Sequence, residues 1–404
     1  MPSAQDVRIE KNKVKTSGQD CSRDELSWAG LSDLQKCRQL AKIERFDQFS
    51  FRHLLDCIRA LLRQNQSADA IQLANHYFKI LDSPPSDLSI EELSRAPELI
   101  STMAGLAPFI SKTGERLCQA LADPALNGFL HYHIATALAA LSGNAALHED
   151  FEMVETLGMV LELRLSSDPA AHKDCCGGAL SRLLPVNLVE RVIERALAER
   201  NDMAWQRRAA LLLRFSGAPG LEKSFQYLET ERNASRRIIL MRLISRSGAG
   251  SLELVRKRLQ HTEWYVVRNA CLLLHEMCDP ELCEQLGPVL HHLNDTVQET
   301  AVKLIIQSRG ASRGQILAAN LRYLRGAALE KAFQELALLK DPTVLPALED
   351  FIYRHQYGDG IKLRLALRAL IAIPCPRSAQ LVSNIASDQV IDESIRKIAL
   401  AASG

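Results

Sequence analysis

Apolar residues recur along most of this chain with the period of an α-helix. In Trp264–Cys278 (WYVVRNACLLLHEMC), Trp264, Val267, Cys271, Leu274 and Cys278 step by 3, 4, 3 and 4 and share one helix face. Val266, Ala270, Leu273 and Met277 form a second stripe beside it. A helix with two apolar stripes is covered from two sides, so the spacing predicts that Trp264 is buried between neighbours. Elements around it come in pairs. Leu252–Gln260 reads as a short helix, His261-Thr262-Glu263 as a turn, and Trp264–Cys278 as the return. Asp279-Pro280 stops that helix and starts another, with Asp as N-cap and Pro at the first helical position. Helix Glu281–His292, turn Leu293-Asn294-Asp295 and helix Thr296–Arg309 repeat the cycle. Upstream, helices are predicted at Phe46–Gln64, Ala68–Leu81, Pro97–Ile110, Thr113–Leu121, Pro124–Leu141 and Glu149–Leu165, without a fixed period. Asp82-Ser83-Pro84-Pro85-Ser86 is a loop. No alternating segment bounded by hairpin turns competes, so the fold class is all-α.

From Asn187 onward the starts of the second helices align. They read Gln206-Arg207-Arg208-Ala209-Ala210, Ser235-Arg236-Arg237-Ile238-Ile239 and Val267-Arg268-Asn269-Ala270-Cys271, and continue from Val297, Leu329, Leu363 and Ile395. The intervals are 29, 32, 30, 32, 34 and 32 residues. Self-similarity at such a period marks a solenoid, in which no unit buries its apolar face without a neighbour. The two-helix unit, with VRNA in one second helix and VQETA in the next, resembles a HEAT repeat. That resemblance implies a right-handed α-solenoid of stacked antiparallel helix pairs, a fold that serves mostly as a scaffold. Three regions follow. Residues 1–27 are polar, lack periodicity and are expected to be disordered; 28–178 is an irregular helical region ending in a joint at Ser166–Gly178; 179–404 is an array of about seven units.

Composition narrows the function. Hydrophobic residues make up 47% and charged residues 24%, ordinary for a soluble globular protein, and aromatics only 5%, which favours helix over sheet. A net charge of +1 argues against binding nucleic acid or membrane over the whole surface. The opening MPSAQDVRIEKNK lacks the apolar core of a secretory signal, and apolar runs such as Ile134–Leu141 fall far short of the ~20 residues that span a bilayer. Ten cysteines contain no C-x-x-C pair and mostly occupy apolar helical positions, as small core residues do in a reducing cytoplasm.

Candidate chemistry is concentrated in arginine. The second position of the aligned frame holds Arg207, Arg236, Arg268, Arg364 and Arg396, five of seven units. In HEAT repeats such an arginine commonly ties the second helix to the preceding loop. Between Arg182 and Arg268 there are 17 Lys and Arg against 9 Asp and Glu, so the rest of the chain is acidic. Glu190, Glu194 and Glu199 lie at helical spacing from Arg191, Arg195 and Arg200 and can neutralise some of these charges. The candidate partner-binding residues are Arg207, Arg208, Arg236, Arg237 and Arg268, a strip suited to an acidic protein or peptide, or alternatively to a nucleic-acid backbone. Trp205, Trp264 and Tyr265 lie beside it and would serve a HEAT-like DNA glycosylase, but their apolar stripe positions suit a core.

No catalytic, cofactor-binding or metal site is expected. His148-Glu149 and His275-Glu276 resemble the iron-binding His-Glu pairs of the deoxyhypusine hydroxylase family. The positions matching that family's helix starts, however, read Arg268-Asn269 and Gln298-Glu299, without histidine. No P-loop, G-x-S-x-G or H-E-x-x-H occurs. The expected outcome is a non-enzymatic interaction scaffold. Circular dichroism should show a helix-dominated spectrum; a sheet content above roughly 15% would contradict the all-α assignment.

Overall fold

The computed structural model describes residues 28, 30–123, 126–167, 176–358 and 360–403. The polar segment 1–27 and positions 168–175 of the expected joint lie outside the described residues. All regular structure among the described residues is helical, and none of these helices is long and apolar enough to cross a membrane. The chain divides into two compact units, Met1–Leu183 and Leu184–Gly404.

The first unit contains α1 (Asp33–Leu40), α2 (Gln48–Arg63), α3 (Ser67–Tyr77), α4 (Ile90–Thr102), α5 (Ala107–Leu121), α6 (Gly128–Leu147) and α7 (Phe151–Ser167). It has two rows. Helices α2, α4 and α6 pack successively in one, and α3, α5 and α7 in the other. Helix α6 is apolar around most of its circumference because α4, α5 and α7 cover it on several sides. Asn144 in α6 donates Nδ2–H to the Ile100 carbonyl and accepts from Gly105 N–H, tying α6 to the α4–α5 turn. Gly105 has φ 81°, and the His148 ring lies where a Cβ would come within 2.7 Å, so the turn requires glycine.

This unit repeats at a longer period than the second. Successive helices of the first row start at Gln48, Ile90 and Gly128, and of the second row at Ser67, Ala107 and Phe151, so its unit is 38 to 44 residues long. The helix expected at Pro97–Ile110 does not exist as such. Ser89 caps α4 by accepting from Glu92 N–H, which places Pro97 inside the helix. Burial of Leu93, Ala96, Leu99 and Ile100 carries the helix through the lost hydrogen bond. Residues Ala107–Ile110 instead open α5, which continues without a break through Thr113 to Leu121.

The second unit holds seven helix pairs among the described residues. The first helices are α8 (Val186–Ala198), α10 (Gly217–Thr230), α12 (Ala249–Arg258), α14 (Leu282–Leu286), α16 (Arg313–Asn320), α18 (Leu345–His355) and α20 (Pro376–Ser387). The second helices are α9 (Met203–Phe215), α11 (Ala234–Arg246), α13 (Trp264–Glu276), α15 (Asp295–Ser308), α17 (Gly326–Leu339), α19 (Gly360–Ala372) and α21 (Glu393–Ser403). Each second helix packs on its own first helix and on the second helices before and after it, which makes this unit an α-solenoid.

Caps set the register. Asp202 Oδ1 accepts from Ala204 and Trp205 N–H, both at 2.9 Å, and Asn233 and Asn294 do the same for α11 and α15. Asp279 has a different role from the expected N-cap. Its side chain is buried, accepts from Glu281 N–H and takes a two-pronged contact from Arg256 at 2.9 and 3.1 Å. The helix expected over Glu281–His292 is split into α14 and a 3-10 turn at Pro288–His291, because Pro288 cannot donate into the helical ladder.

Arginine clamps join helices both between and within pairs. Arg258 of α12 reaches Glu222 at 2.7 Å and Glu229 at 2.8 Å, both on α10, and lies 4.0 Å above the Phe225 ring. Arg313 of α16 holds the buried Glu335 of α17 at 2.9 Å. Removing Arg256 leaves the Asp279 carboxylate buried without its cation. Arg256→Ala should therefore lower stability in urea unfolding by more than Arg377→Ala, which breaks an exposed pair with Glu349.

Candidate functional site: an arginine-lined groove

The caps show why the five aligned arginines do not form one ladder. Arg207, Arg268 and Arg364 are the fifth residues of their helices, but Arg236 is the third of α11 and Arg396 the fourth of α21. In four of the second helices the fourth residue is polar and donates to backbone carbonyls beside the helix start. There Gln206 donates to the Ala196 carbonyl, Gln298 to those of Leu290 and Tyr323, Arg237 to those of Glu231 and Arg232, and Arg396 to that of Ile391. Arg237 is thus occupied in holding its own turn. The true row of fifth residues runs Arg207, Ile238, Arg268, Glu299, Glu330, Arg364 and Lys397, acidic only on α15 and α17.

Two adjoining depressions lie between the start of α9 and one face of α11. Leu197, Ala198, Arg200, Met203 and Gln206 line one side. Ser235, Ile239, Arg242 and Arg246 line the other, spaced 4, 3 and 4 along α11, and Arg236 joins them. Arg200 and Ile239 belong to both depressions, so the two form one groove. Arg236 bridges Glu231 at 2.8 Å. Arg200, Arg242 and Arg246 meet no carboxylate among the described residues, although Glu199 is the chain neighbour of Arg200. Glu199 instead pairs with Arg195 at 3.1 Å. Glu190 pairs with Lys223 at 3.4 Å, and the Tyr227 hydroxyl and Lys223 hold its carboxyl below the usual range. The surrounding carboxylates are engaged, and the groove keeps a surplus of guanidinium.

Of the sequence candidates, only Arg236 lines the groove. Arg207 and Arg208 lie further along α9, Arg237 faces its turn, and Arg268 is half-buried on α13. Arg200, Arg242 and Arg246 are the additions. The signal for Arg242 and Arg246 was the 4-3-4 stripe on α11, legible once the cap at Asn233 fixes where that helix begins.

The aromatic residues divide sharply. Trp205 is 3% exposed, with the Arg195 guanidinium 3.9 Å from its ring. Trp264, expected in the core, is 43% exposed and meets Tyr265 edge-on at 6.1 Å. It is the first residue of α13, and its place at the helix end leaves much of it open to solvent. Val266, Val267, Ala270, Cys271, Leu273 and Leu274 make the buried face instead. Cys278, placed on the same stripe by spacing, follows the helix with φ 54° and is exposed.

Other chemistry is confined. Cys176 Sγ lies 3.9 Å from both ring nitrogens of His131, but both residues are fully buried, out of reach of a substrate. Burial pushes the Cys271 thiol up to about 12 and the Cys118 thiol to about 11, the direction opposite to that of an activated nucleophile. His275 sits in the last turn of α13, and no three metal-ligating side chains gather among the described residues.

No family model matches the chain, and no curated protein matches it. Solved structures that resemble it include a Kap121p mutant, 12% identical over 95% of this chain and 50% of that one with a TM-score of 0.29. A structure concerning the phosphorylation switch between cadherin and beta-catenin is 12% identical over 91% and 90%, with a TM-score of 0.30. Human deoxyhypusine hydroxylase is 15% identical over 92% and 95%, with a TM-score of 0.22. The chain spans about half the length of Kap121p. At such scores these likenesses decide nothing, and the class, an all-α helical-repeat solenoid, rests on the helix rows themselves.

The two tryptophans should respond oppositely to truncation. Trp264→Ala is expected to change unfolding free energy by under about 1 kcal/mol, as for a surface position. Trp205→Ala should cost about 3–5 kcal/mol in the same denaturation measurement.

Proposed function

We propose that the chain is a non-catalytic interaction scaffold of HEAT-type helix pairs and that the α9–α11 groove binds a segment of a partner protein. The observation that carries this is the convergence of Arg200, Arg236, Arg242 and Arg246 on one groove with a single carboxylate, Glu231, among them. Like charges held together raise the local potential, and an anionic partner relieves it. Exposed Met203 and Ile238, at 54% and 51%, add apolar surface where a protein partner can bury it. Second helices starting 30 to 34 residues apart, each with two covered stripes, support the HEAT assignment. The described cysteines carry free thiols, which suits a reducing compartment such as the cytoplasm.

A nucleic-acid backbone is the competing anion. Wild type and an Arg200→Glu, Arg242→Glu, Arg246→Glu variant should be compared as baits for extract proteins and for labelled duplex DNA and RNA. The scaffold reading expects proteins that are lost on the variant, and nucleic-acid binding no tighter than about 10⁻⁵ M at physiological salt. Tight, salt-sensitive nucleic-acid binding that the variant abolishes would replace it.

A further inference from the structure

Resting on that reading, we infer the chemistry of the partner: a short acidic segment carrying an apolar anchor, laid along the α9–α11 groove and reaching the start of α13 with its anchor against Trp264 and Tyr265. Four features of the surface converge on this.

The first is the placement of the aromatic pair. Trp264 and Tyr265 are the first two residues of α13, which packs beside α11, the helix that carries Arg236, Arg242 and Arg246. Second helices run parallel along their row, so their starts lie at one end. The aromatic pair therefore stands one helix further along the row than the groove. Helices pack about 10 Å apart, so crossing from α9 to α13 takes about 20 Å, roughly six residues of extended chain.

The second is composition. Arginine, tryptophan and tyrosine are the residues that dominate binding energy at protein interfaces, and here they occur together and exposed. The planar fork of arginine matches a carboxylate with two parallel hydrogen bonds. The edge-on Trp264–Tyr265 pair leaves ring surface open to a side chain.

Apolar surface inside the arginine cluster is the third. Met203 and Ile239 line the groove among the guanidinium groups, and exposed Ile238 precedes Ile239 on α11. A phosphate backbone has no use for such positions, whereas alternating acidic and aliphatic side chains meet both kinds of surface.

The fourth is the limited extent of the charge. Asp202, Glu231 and Glu263 lie in the turns leading into α9, α11 and α13 and rim the basic surface on that side. Along the row, the fifth residues become Glu299 and Glu330 on α15 and α17. A long polyanion continuing onto α15 and α17 would meet Glu330 and Glu299, the latter already paired with Lys331, and would find no further arginine in this row before Arg364 on α19.

The probe is a fluorescein-labelled synthetic peptide of Glu-Glu-Leu repeats. Polyglutamate of equal length and oligothymidylate are the comparators, measured by anisotropy at physiological salt. Wild type should bind the Glu-Glu-Leu peptide more tightly than polyglutamate. Trp264→Ala should weaken the peptide about tenfold while leaving polyglutamate unchanged, and Arg242→Glu with Arg246→Glu should abolish binding of both. Because Trp28 and Trp205 are buried, acrylamide quenching reads mainly Trp264, and saturating peptide should shield it. Circular dichroism checks that each variant folds. Peptide affinity indifferent to Trp264→Ala, with the arginine effect retained, overturns the anchor and leaves the scaffold reading standing. Failure of both acidic probes overturns both, and oligothymidylate binding that exceeds peptide binding and shields Trp264 assigns the surface to nucleic acid instead.

Discussion

Everything in the second unit depends on the double apolar stripe of its second helices. A helix such as α13 buries Val267, Cys271 and Leu274 on one side and Val266, Ala270 and Leu273 on the other. It is covered only when α11 and α15 flank it and α12 closes the pair. No pair is therefore a folding unit by itself, and stability accumulates through contacts between neighbours. The caps at Asp202, Asn233 and Asn294 fix where each second helix starts, and hence which residues face the neighbour, the preceding turn or solvent.

Charge follows the same geometry. Carboxylates on α10 are drawn into clamps with Arg258, and Asp279 is buried against Arg256. These pairs lock successive units but leave the groove face of α11 with arginines and almost no acid. A chain with a net charge of +1 thus carries a concentrated basic surface without being a basic protein. Segregation of charge rather than its total gives the groove a preference for anions.

The repeat of the second unit was plain in the sequence because its helices are short and regularly stopped. The rest was obscured for physical reasons. In the first unit the period near 40 residues was hidden by α6, whose nearly continuous apolar surface shows no single face, and by Pro97, which burial overrides. Aligning by arginine pairs misplaced α11 relative to its neighbours, since Arg236 stands third in its helix and Arg207 fifth in its own. Trp264 misled because periodicity reports the direction of a side chain but not whether the helix end has a neighbour to cover it. Arg200 could not be recognised from local spacing, because it lies in the turn after α8, outside any helical stripe.

Helix α11 buries only Leu240, Leu243 and Ile244, whereas α9 buries seven residues and α13 another seven. The helix that lines the groove is therefore a thinner seam than the second helices on either side of it. A solenoid transmits order only from one unit to the next, so a weak seam divides it into two cooperative blocks. A segment spanning α9 to α13 bridges that seam and joins the blocks, and its binding free energy adds to the cohesion of the array. Occupancy of the groove is then read along the whole row as a change in stiffness, with no helix having to move.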